Sequence, residues 1–75
     1  MPKWEYLFVK FSPIQGGGAC VRRLNGQELP DWWNGPSYRE FFNHLGSDGW
    51  EFVGFASVLL GTDVQDEAIF KRPNP

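Results

Sequence analysis

The chain has 75 residues and a formal net charge of −2, and it contains four Trp, two Tyr and seven Phe but only one cysteine. This length predicts one domain, residues 1–75, and a single cysteine excludes an internal disulfide. The acidic balance disfavours nucleic acid as a partner, because attraction to phosphates supplies most of that affinity. A chain this small buries only about 60–65% of its unfolded surface, so we expect an aromatic core, a partner, or both.

Metal ions and membranes are not expected partners. Cys20 and His44 are the only soft metal ligands, which is too few for a four-coordinate zinc site, so no metal or cofactor is predicted. The longest mostly apolar run, Phe52 to Leu60, is far shorter than the roughly 20 residues of a membrane helix. No signal-peptide core follows Met1, and a lone cysteine suits a reducing compartment, so the expected location is the cytoplasm.

The first predicted strand runs from Trp4 to Phe11 and is apolar on both faces, which is typical of a central strand. Pro13 ends it. The segment Gln15–Gly18 is glycine-rich, but a strand and not a helix follows it, so a hairpin loop is favoured over a phosphate-binding loop.

The second predicted strand, Ala19 to Leu24, contains two arginines that point to opposite faces, which suits an edge. Asn25-Gly26 is the preferred pair for a type I′ turn. We therefore expect residues 27–29 to fold back as a short arm.

A loop with two prolines and a glycine leads from this arm to the helix, and it contains adjacent tryptophans, Trp32 and Trp33. Adjacent indoles in a loop either cover the edge of the core or form an exposed recognition surface. Covering the core is favoured, because a small domain rarely leaves two indoles in water.

A short helix is predicted from Tyr38 to Leu45. Ser37 and Glu40 form a capping-box pattern at its start. Positions 38, 41, 42 and 45 are apolar and share one helical face. Gly46 is predicted to end the helix as its left-handed C-terminal residue.

The third predicted strand, Trp50 to Leu60, is also apolar on both faces and is therefore predicted to be central. Gly54 within it indicates a bulge or a close backbone approach. The last predicted strand is Glu67 to Arg72.

These elements predict an α+β fold: a four-stranded antiparallel sheet (ββαββ, order 2-1-3-4) with one short helix packed on one face. The helix is too small to cover a sheet about 15–20 Å wide. We therefore expect an aromatic sheet face to be buried by a second copy of the chain. Two sets of residues are candidates for that face, and the sequence does not choose between them: Val9 and Phe11 with Val53 and Phe55, or Trp4, Tyr6 and Phe8 with Trp50 and Phe52.

Three segments resemble a known family: Trp4-Glu5-Tyr6, residues 42–53 with the core Gly49-Trp50-Glu51, and Ile69-Phe70-Lys71-Arg72. They are similar to small bacterial proteins of the domain of unknown function 4177 family, whose pattern has Leu at the place of Phe42. The tryptophan pair is not part of that pattern. The resemblance implies a small α+β fold and a bacterial origin, and it implies no activity.

The leading functional hypothesis is a small protein-interaction module that self-associates as a homodimer through an aromatic sheet face. Its candidate interaction surface comprises Trp32, Trp33, Val9, Phe11, Val53 and Phe55. One alternative is a small-molecule-binding domain that uses the aromatic face and the tryptophan loop. A second alternative is single-stranded nucleic-acid binding, or an enzyme using Cys20, His44, Asp48 or Glu51. An enzyme is disfavoured because no convergent constellation surrounds these four residues.

Overall fold

The computed structural model describes residues 3–60 and 62–74, and for 58–60 and 63–65 it describes the backbone alone. The elements, in chain order, are β1 (Trp4–Pro13), β2 (Ala19–Leu24), β3 (Gln27–Glu28), a 3-10 helix (Trp32–Asn34), α1 (Tyr38–Ser47), β4 (Glu51–Leu60) and β5 (Asp63–Pro73). The predicted α+β class, with one antiparallel sheet and one α-helix, is confirmed.

The strand count and order differ from the prediction. The sheet has five strands in the order β3-β2-β1-β5-β4, whereas four strands in the order 2-1-3-4 were expected. The additional strand is the short arm after the Asn25-Gly26 turn, where both residues have positive φ, 51° and 84°, as a type I′ turn requires. The strand predicted to be central, β4, is the outer strand, and the last strand, β5, pairs with β1 instead.

The direction of the helix explains the strand order. After β3 the chain returns along the sheet, so that Ser37 forms a bridge with Cys20 at the start of β2. The helix then runs back towards the opposite end, where Arg72 near the end of β5 hydrogen-bonds the carbonyl of Asp48. Strand β4 therefore starts level with the start of β1 and runs parallel to it. Antiparallel pairing with β1 is consequently left to β5.

The helix starts as predicted but ends later. The Ser37 hydroxyl accepts a hydrogen bond from the Glu40 amide at 3.3 Å, which confirms the N-terminal cap. The helix continues through Gly46 to Ser47. It is ended by Gly49 at φ 87°, with hydrogen bonds from the Trp50 amide to the Leu45 carbonyl and from the Gly49 amide to the Gly46 carbonyl. This is a Schellman motif with its left-handed glycine three residues beyond the predicted one.

The core lies between the helix and one face of the sheet. Its buried members are Val9, Val21, Leu45, Ala68 and Phe70. Phe42 of the helix joins them: its ring centroid lies 5.5 Å from that of Phe11, 5.6 Å from that of Phe52 and 5.0 Å from that of Phe70. The helix therefore covers the face on which Val9 and Phe11 lie, and we call this the covered face and the opposite one the open face.

A β-bulge changes the orientation of residues along β4. Phe52 pairs with Phe70, while Gly54 pairs with Ile69, so Val53 is an extra residue between them. This register shift confirms the bulge. Gly54 has φ 157°, and among the described residues no atom lies within 4 Å of the position that a Cβ would take there, so no close approach is found. Because of the extra residue, Phe52 and Phe55 lie on the same face, with ring centroids 5.2 Å apart.

Candidate interaction surface

The six residues predicted to form an interaction surface do not lie together. Val9 is completely buried on the covered face, and Phe11 packs there against Phe42. Val53 lies in the bulge and is 51% exposed, and Phe55 is 70% exposed on the covered face, beyond the helix. Val9 and Phe11 therefore belong to the core of this chain.

The tryptophan pair has two different environments. Trp32 is half-buried, with the Arg22 guanidinium 4.9 Å from its ring centroid. Trp33 is 53% exposed. The sequence offered two alternatives for the pair, covering the core or forming a recognition surface, and the two residues differ in this respect. Trp32 packs on the domain, and Trp33 faces solvent.

The loop backbone also covers one corner of the open face. Ser12 pairs with Cys20 across β1 and β2, and Ser12 lies on the open face because its neighbour Phe11 lies on the covered one. Both are nonetheless buried, at 7% and 3% exposure. The Cys20 thiol donates to the carbonyls of Trp33 and Gly35 at 3.9 and 3.6 Å. The tryptophan loop therefore shields this corner and holds the thiol.

The rest of the open face presents a row of aromatic side chains. Trp4, Tyr6 and Phe8 alternate along β1 and are 41%, 51% and 39% exposed. Their pairing partners on β5 are Pro73, Lys71 and Ile69. The Lys71 ammonium lies 4.4 Å from the centroid of the Trp4 ring, which is within the range of a cation–π contact. We call Trp4, Tyr6 and Phe8 the aromatic row.

Two residues of opposite charge lie at one end of the aromatic row. Lys10 continues the row along β1 and pairs with Arg23 of β2, which gives a basic corner. Glu67 of β5 lies on the same face, two residues before Ile69, and pairs with Ala56. In the described part of the chain neither Lys10 nor Glu67 takes part in an ion pair. The open face thus has an apolar row with a basic and an acidic residue at the same level at one end.

The aromatic row is part of the second set of residues that the sequence offered for a self-interface, but Phe52 of that set lies on the covered face. The predicted interaction surface does not include the row. The chemistry of the side chains favours the aromatic row as the exposed set. Val9 and Leu7 are aliphatic, whereas Trp4 and Tyr6 have polar groups that tolerate partial exposure. The sequence reasoning missed Lys10 and Glu67 because these two residues lie far apart in sequence and are brought to the same level only by the pairing of β1 with β5.

A groove lies beside the tryptophan loop. It has a volume of about 420 Å³ and is lined by Pro13, Ile14, Gln15, Trp32, Trp33 and Asn34. A second groove of about 440 Å³ lies along the helix, between Pro36, Glu40, Phe41 and His44. Both are within the size range of small-molecule sites, but only the first has indole surfaces for stacking.

The residues considered for catalysis are dispersed. Cys20 is buried under the tryptophan loop, whereas His44 and Asp48 lie on the exposed side of the helix, with 3.5 Å between His44 Nε2 and Asp48 Oδ2. Glu51 is at the outer end of the sheet, opposite Lys71. Cys20, the His44–Asp48 pair and Glu51 do not converge on a common cleft, and an acid/base site needs such convergence.

The carboxyl of Glu28 has a shifted pKa. Arg22 donates a hydrogen bond from Nε to Glu28 Oε1 at 2.8 Å, and this bond, aided by the nearby charge of Arg23, lowers the pKa of Glu28 from its usual value of 4.5. Arg22 thus contacts both Trp32 and Glu28 of β3.

Among the described residues no group of three or more His, Cys, Asp or Glu side chains could hold a metal ion. No helix in the described ranges is long and apolar enough to cross a membrane.

Comparisons with known proteins found no match: no family model, no curated protein and no solved structure matches the chain. The resemblance to the domain of unknown function 4177 family therefore stays a prediction. The class of protein defined by the structure is a small α+β domain with one helix-covered sheet face.

Proposed function

We propose that the protein is a small interaction module that forms a homodimer through its aromatic row. The observation that supports this most directly is the exposure of Trp4, Tyr6 and Phe8, at 41%, 51% and 39%, side by side on one sheet face. Contiguous exposed apolar surface with a polar border is typical of protein interaction sites. A reducing compartment such as the cytoplasm suits the free thiol of Cys20.

The charges around the row favour a second copy of the chain as the partner. Val9 pairs with Ala68, so the next residues, Lys10 on β1 and Glu67 on β5, lie at a common level on either side of the line between these strands. A twofold axis along that line would set Lys10 of each copy opposite Glu67 of the other. The same operation would set Tyr6 over the partner's Lys71 and Phe8 over its Ile69. The face is thus self-complementary, as an isologous dimer requires.

The contribution of the aromatic row is tested by placing a charge in its centre. Tyr6→Lys is expected to break the contact between the two rows, because the proposed axis would set its ammonium against the partner's Lys71. Trp33→Lys is the matched control: Trp33 is 53% exposed, close to the 51% of Tyr6, but lies outside the row. Light scattering over a range of concentrations, with circular dichroism to confirm folding, measures the outcome. Association that is unchanged in Tyr6→Lys, or that is lost equally in Trp33→Lys, would contradict the proposal.

The charge pairing gives a second, independent test. Lys10→Glu alone and Glu67→Lys alone are each expected to raise the dimer Kd about tenfold, because two opposed charge pairs per dimer become repulsive. The double variant Lys10→Glu, Glu67→Lys is expected to restore the wild-type Kd. A double variant that dissociates as readily as the two single variants would refute the proposed axis.

The groove of about 420 Å³ beside Trp33 supports a second candidate function, the binding of a small planar molecule. Stacking on indole faces would supply the affinity. Trp33→Ala should then abolish a change in tryptophan fluorescence caused by a metabolite panel, while Trp4→Ala should leave it intact. Identical titrations of the two variants would exclude this groove.

A further inference from the structure

The two edges of the sheet differ in how they are protected. On one side the outer strand is β3, which has two residues, and Glu28 there pairs with Arg22 and Arg23. The adjacent start of β2 is occupied by the bridge between Cys20 and Ser37. Short, charged and covered edges resist pairing with another chain. On the other side the outer strand is β4, with ten residues.

Strand β4 lacks the usual protection beyond its bulge. From Gly54 to Leu60 it contains no Lys, Arg, Asp, Glu or Pro. Glu51 and the bulge at Val53 protect only its first residues. A long outer strand without charges or proline presents a row of backbone donors and acceptors that another strand can match.

The same strand forms half of a two-stranded arm made by β4 and β5, which is separate from the short arm at β3. Pairing between β1 and β5 stops at Val9 and Ala68, so β5 from Asp63 to Glu67 pairs with β4 alone. Phe55, beside the base of this arm, is 70% exposed. Two-stranded ribbons are marginally stable in water, and a third strand with an apolar face is normally needed.

We infer that β4 pairs antiparallel with β4 of a second copy, which makes one continuous sheet across a twofold axis near Ser57. Ser57 is the midpoint of the regular segment from Gly54 to Leu60. Identical edges related by a twofold axis satisfy each other's backbone groups in a closed, isologous contact. In the pair each arm becomes part of a four-stranded sheet.

The charges of the arm permit this contact. The acidic residues of the arm, Asp63, Asp66 and Glu67, all lie on β5, and Asp66 accepts a hydrogen bond from the Ser57 hydroxyl at 2.6 Å. In the paired sheet the two β5 strands are separated by three strand spacings, about 14 Å. This exceeds the Debye length of about 8 Å at physiological ionic strength, so their mutual repulsion is screened.

The edge contact is distinct from the aromatic row and does not depend on it. The row lies on the open face of β1, whereas the edge lies two strands away along the sheet. A chain that uses both contacts forms an assembly larger than a dimer. Variants at the two places therefore report separately on the two proposals.

Ser57→Lys tests the edge contact. In the single chain the new ammonium lies opposite Asp66, which keeps the arm intact, but across the twofold axis two ammonium groups are brought together. We expect about a tenfold or greater rise in the Kd of the edge contact. Asn43→Lys, on the exposed side of the helix, adds the same charge and is expected to leave the Kd unchanged. Sedimentation equilibrium from micromolar to millimolar chain measures both.

Three outcomes would overturn the edge contact: a Ser57→Lys variant that associates like wild type, an equal loss in Asn43→Lys, or a wild-type chain that stays monomeric. If Tyr6→Lys dissociates the assembly completely and Ser57→Lys has no effect, the aromatic-row dimer stands and the edge contact fails. If only Ser57→Lys dissociates it, the edge contact stands and the aromatic-row dimer fails.

Hydrogen exchange gives a readout that does not depend on a substitution. Amide protons of residues 54–57 that point away from β5 should exchange more slowly at high chain concentration than at low concentration, because the partner strand accepts their hydrogen bonds. Amides of the helix serve as the internal control. Exchange at residues 54–57 that is independent of concentration would contradict the pairing.

Discussion

Phe42 of the helix is the residue whose removal should show most clearly what holds the covered face together. Its ring contacts Phe11, Phe52 and Phe70, with centroid distances of 5.0 to 5.6 Å. Replacing a core Phe by Ala costs about 3–5 kcal/mol, and Phe42 is partly exposed, so we expect about 3 kcal/mol for Phe42→Ala. A domain of this size has a total stability of about 4–11 kcal/mol, so this is a large share.

Thermal and urea unfolding measure the loss. With a change of about 4–8 °C in Tm per kcal/mol, Phe42→Ala should unfold at least about 12 °C below wild type. Phe55→Ala is the matched control, because Phe55 lies on the same sheet face but is 70% exposed. It should cost less than about 1 kcal/mol, since little of its surface is removed from water. Equal losses in the two variants would refute the assignment of Phe42 as the centre of the helix–sheet contact.

The remaining predictions concern the end of the helix and a surface carboxyl. Gly46 lies inside the helix with open space around a Cβ, so Gly46→Ala should stabilise the domain by about 0.5–1 kcal/mol. Gly49 has φ 87°, so Gly49→Ala should destabilise the domain by about 1 kcal/mol or more. Urea unfolding measures both variants. If Gly46→Ala destabilised the domain and Gly49→Ala stabilised it, the left-handed glycine would be at position 46. The pKa of Glu28 is lowered chiefly by the hydrogen bond from Arg22, so its stabilising effect is complete above the usual value of 4.5 and is lost as the pH falls through the lowered pKa. A carboxyl titration by NMR should show the Glu28 pKa rising towards 4.5 in Arg22→Ala, and an unchanged pKa would contradict this cause.

The bulge at Val53 shows how one residue decides which surface a strand presents. The sequence correctly indicated an irregularity at Gly54, but strict alternation placed Phe52 and Phe55 on opposite faces. The extra residue puts both on the covered face. Consequently Phe52 is not on the open face with Trp4, Tyr6 and Phe8, as the sequence predicted, but lies on the covered face. Phe55 extends the core surface of that face beyond the helix.

Local features were readable from the sequence because they depend on nearby residues. The Ser37 cap, the Asn25-Gly26 turn, the hairpin loop at Gly16–Gly18 and the bulge near Gly54 each follow from the steric or hydrogen-bonding properties of a few adjacent residues. The helical periodicity of the apolar residues likewise places the helix. The α+β class follows from these elements taken together.

The strand order, the covered face and the edge were decided only by the tertiary structure. Both β1 and β4 have apolar residues on both faces, which predicted a central position in the sheet for each of them. Of these two strands only β1 is central, and β4 is at the edge. The direction in which the helix crosses the sheet makes β4 parallel to β1, and antiparallel pairing then selects β5. Ala68 and Phe70 of β5 are thereby buried to 1% and 2% exposure, while Phe52 and Phe55 remain 43% and 70% exposed. The physical reason is that pairing depends on where distant segments meet, which residue patterns within one strand do not encode.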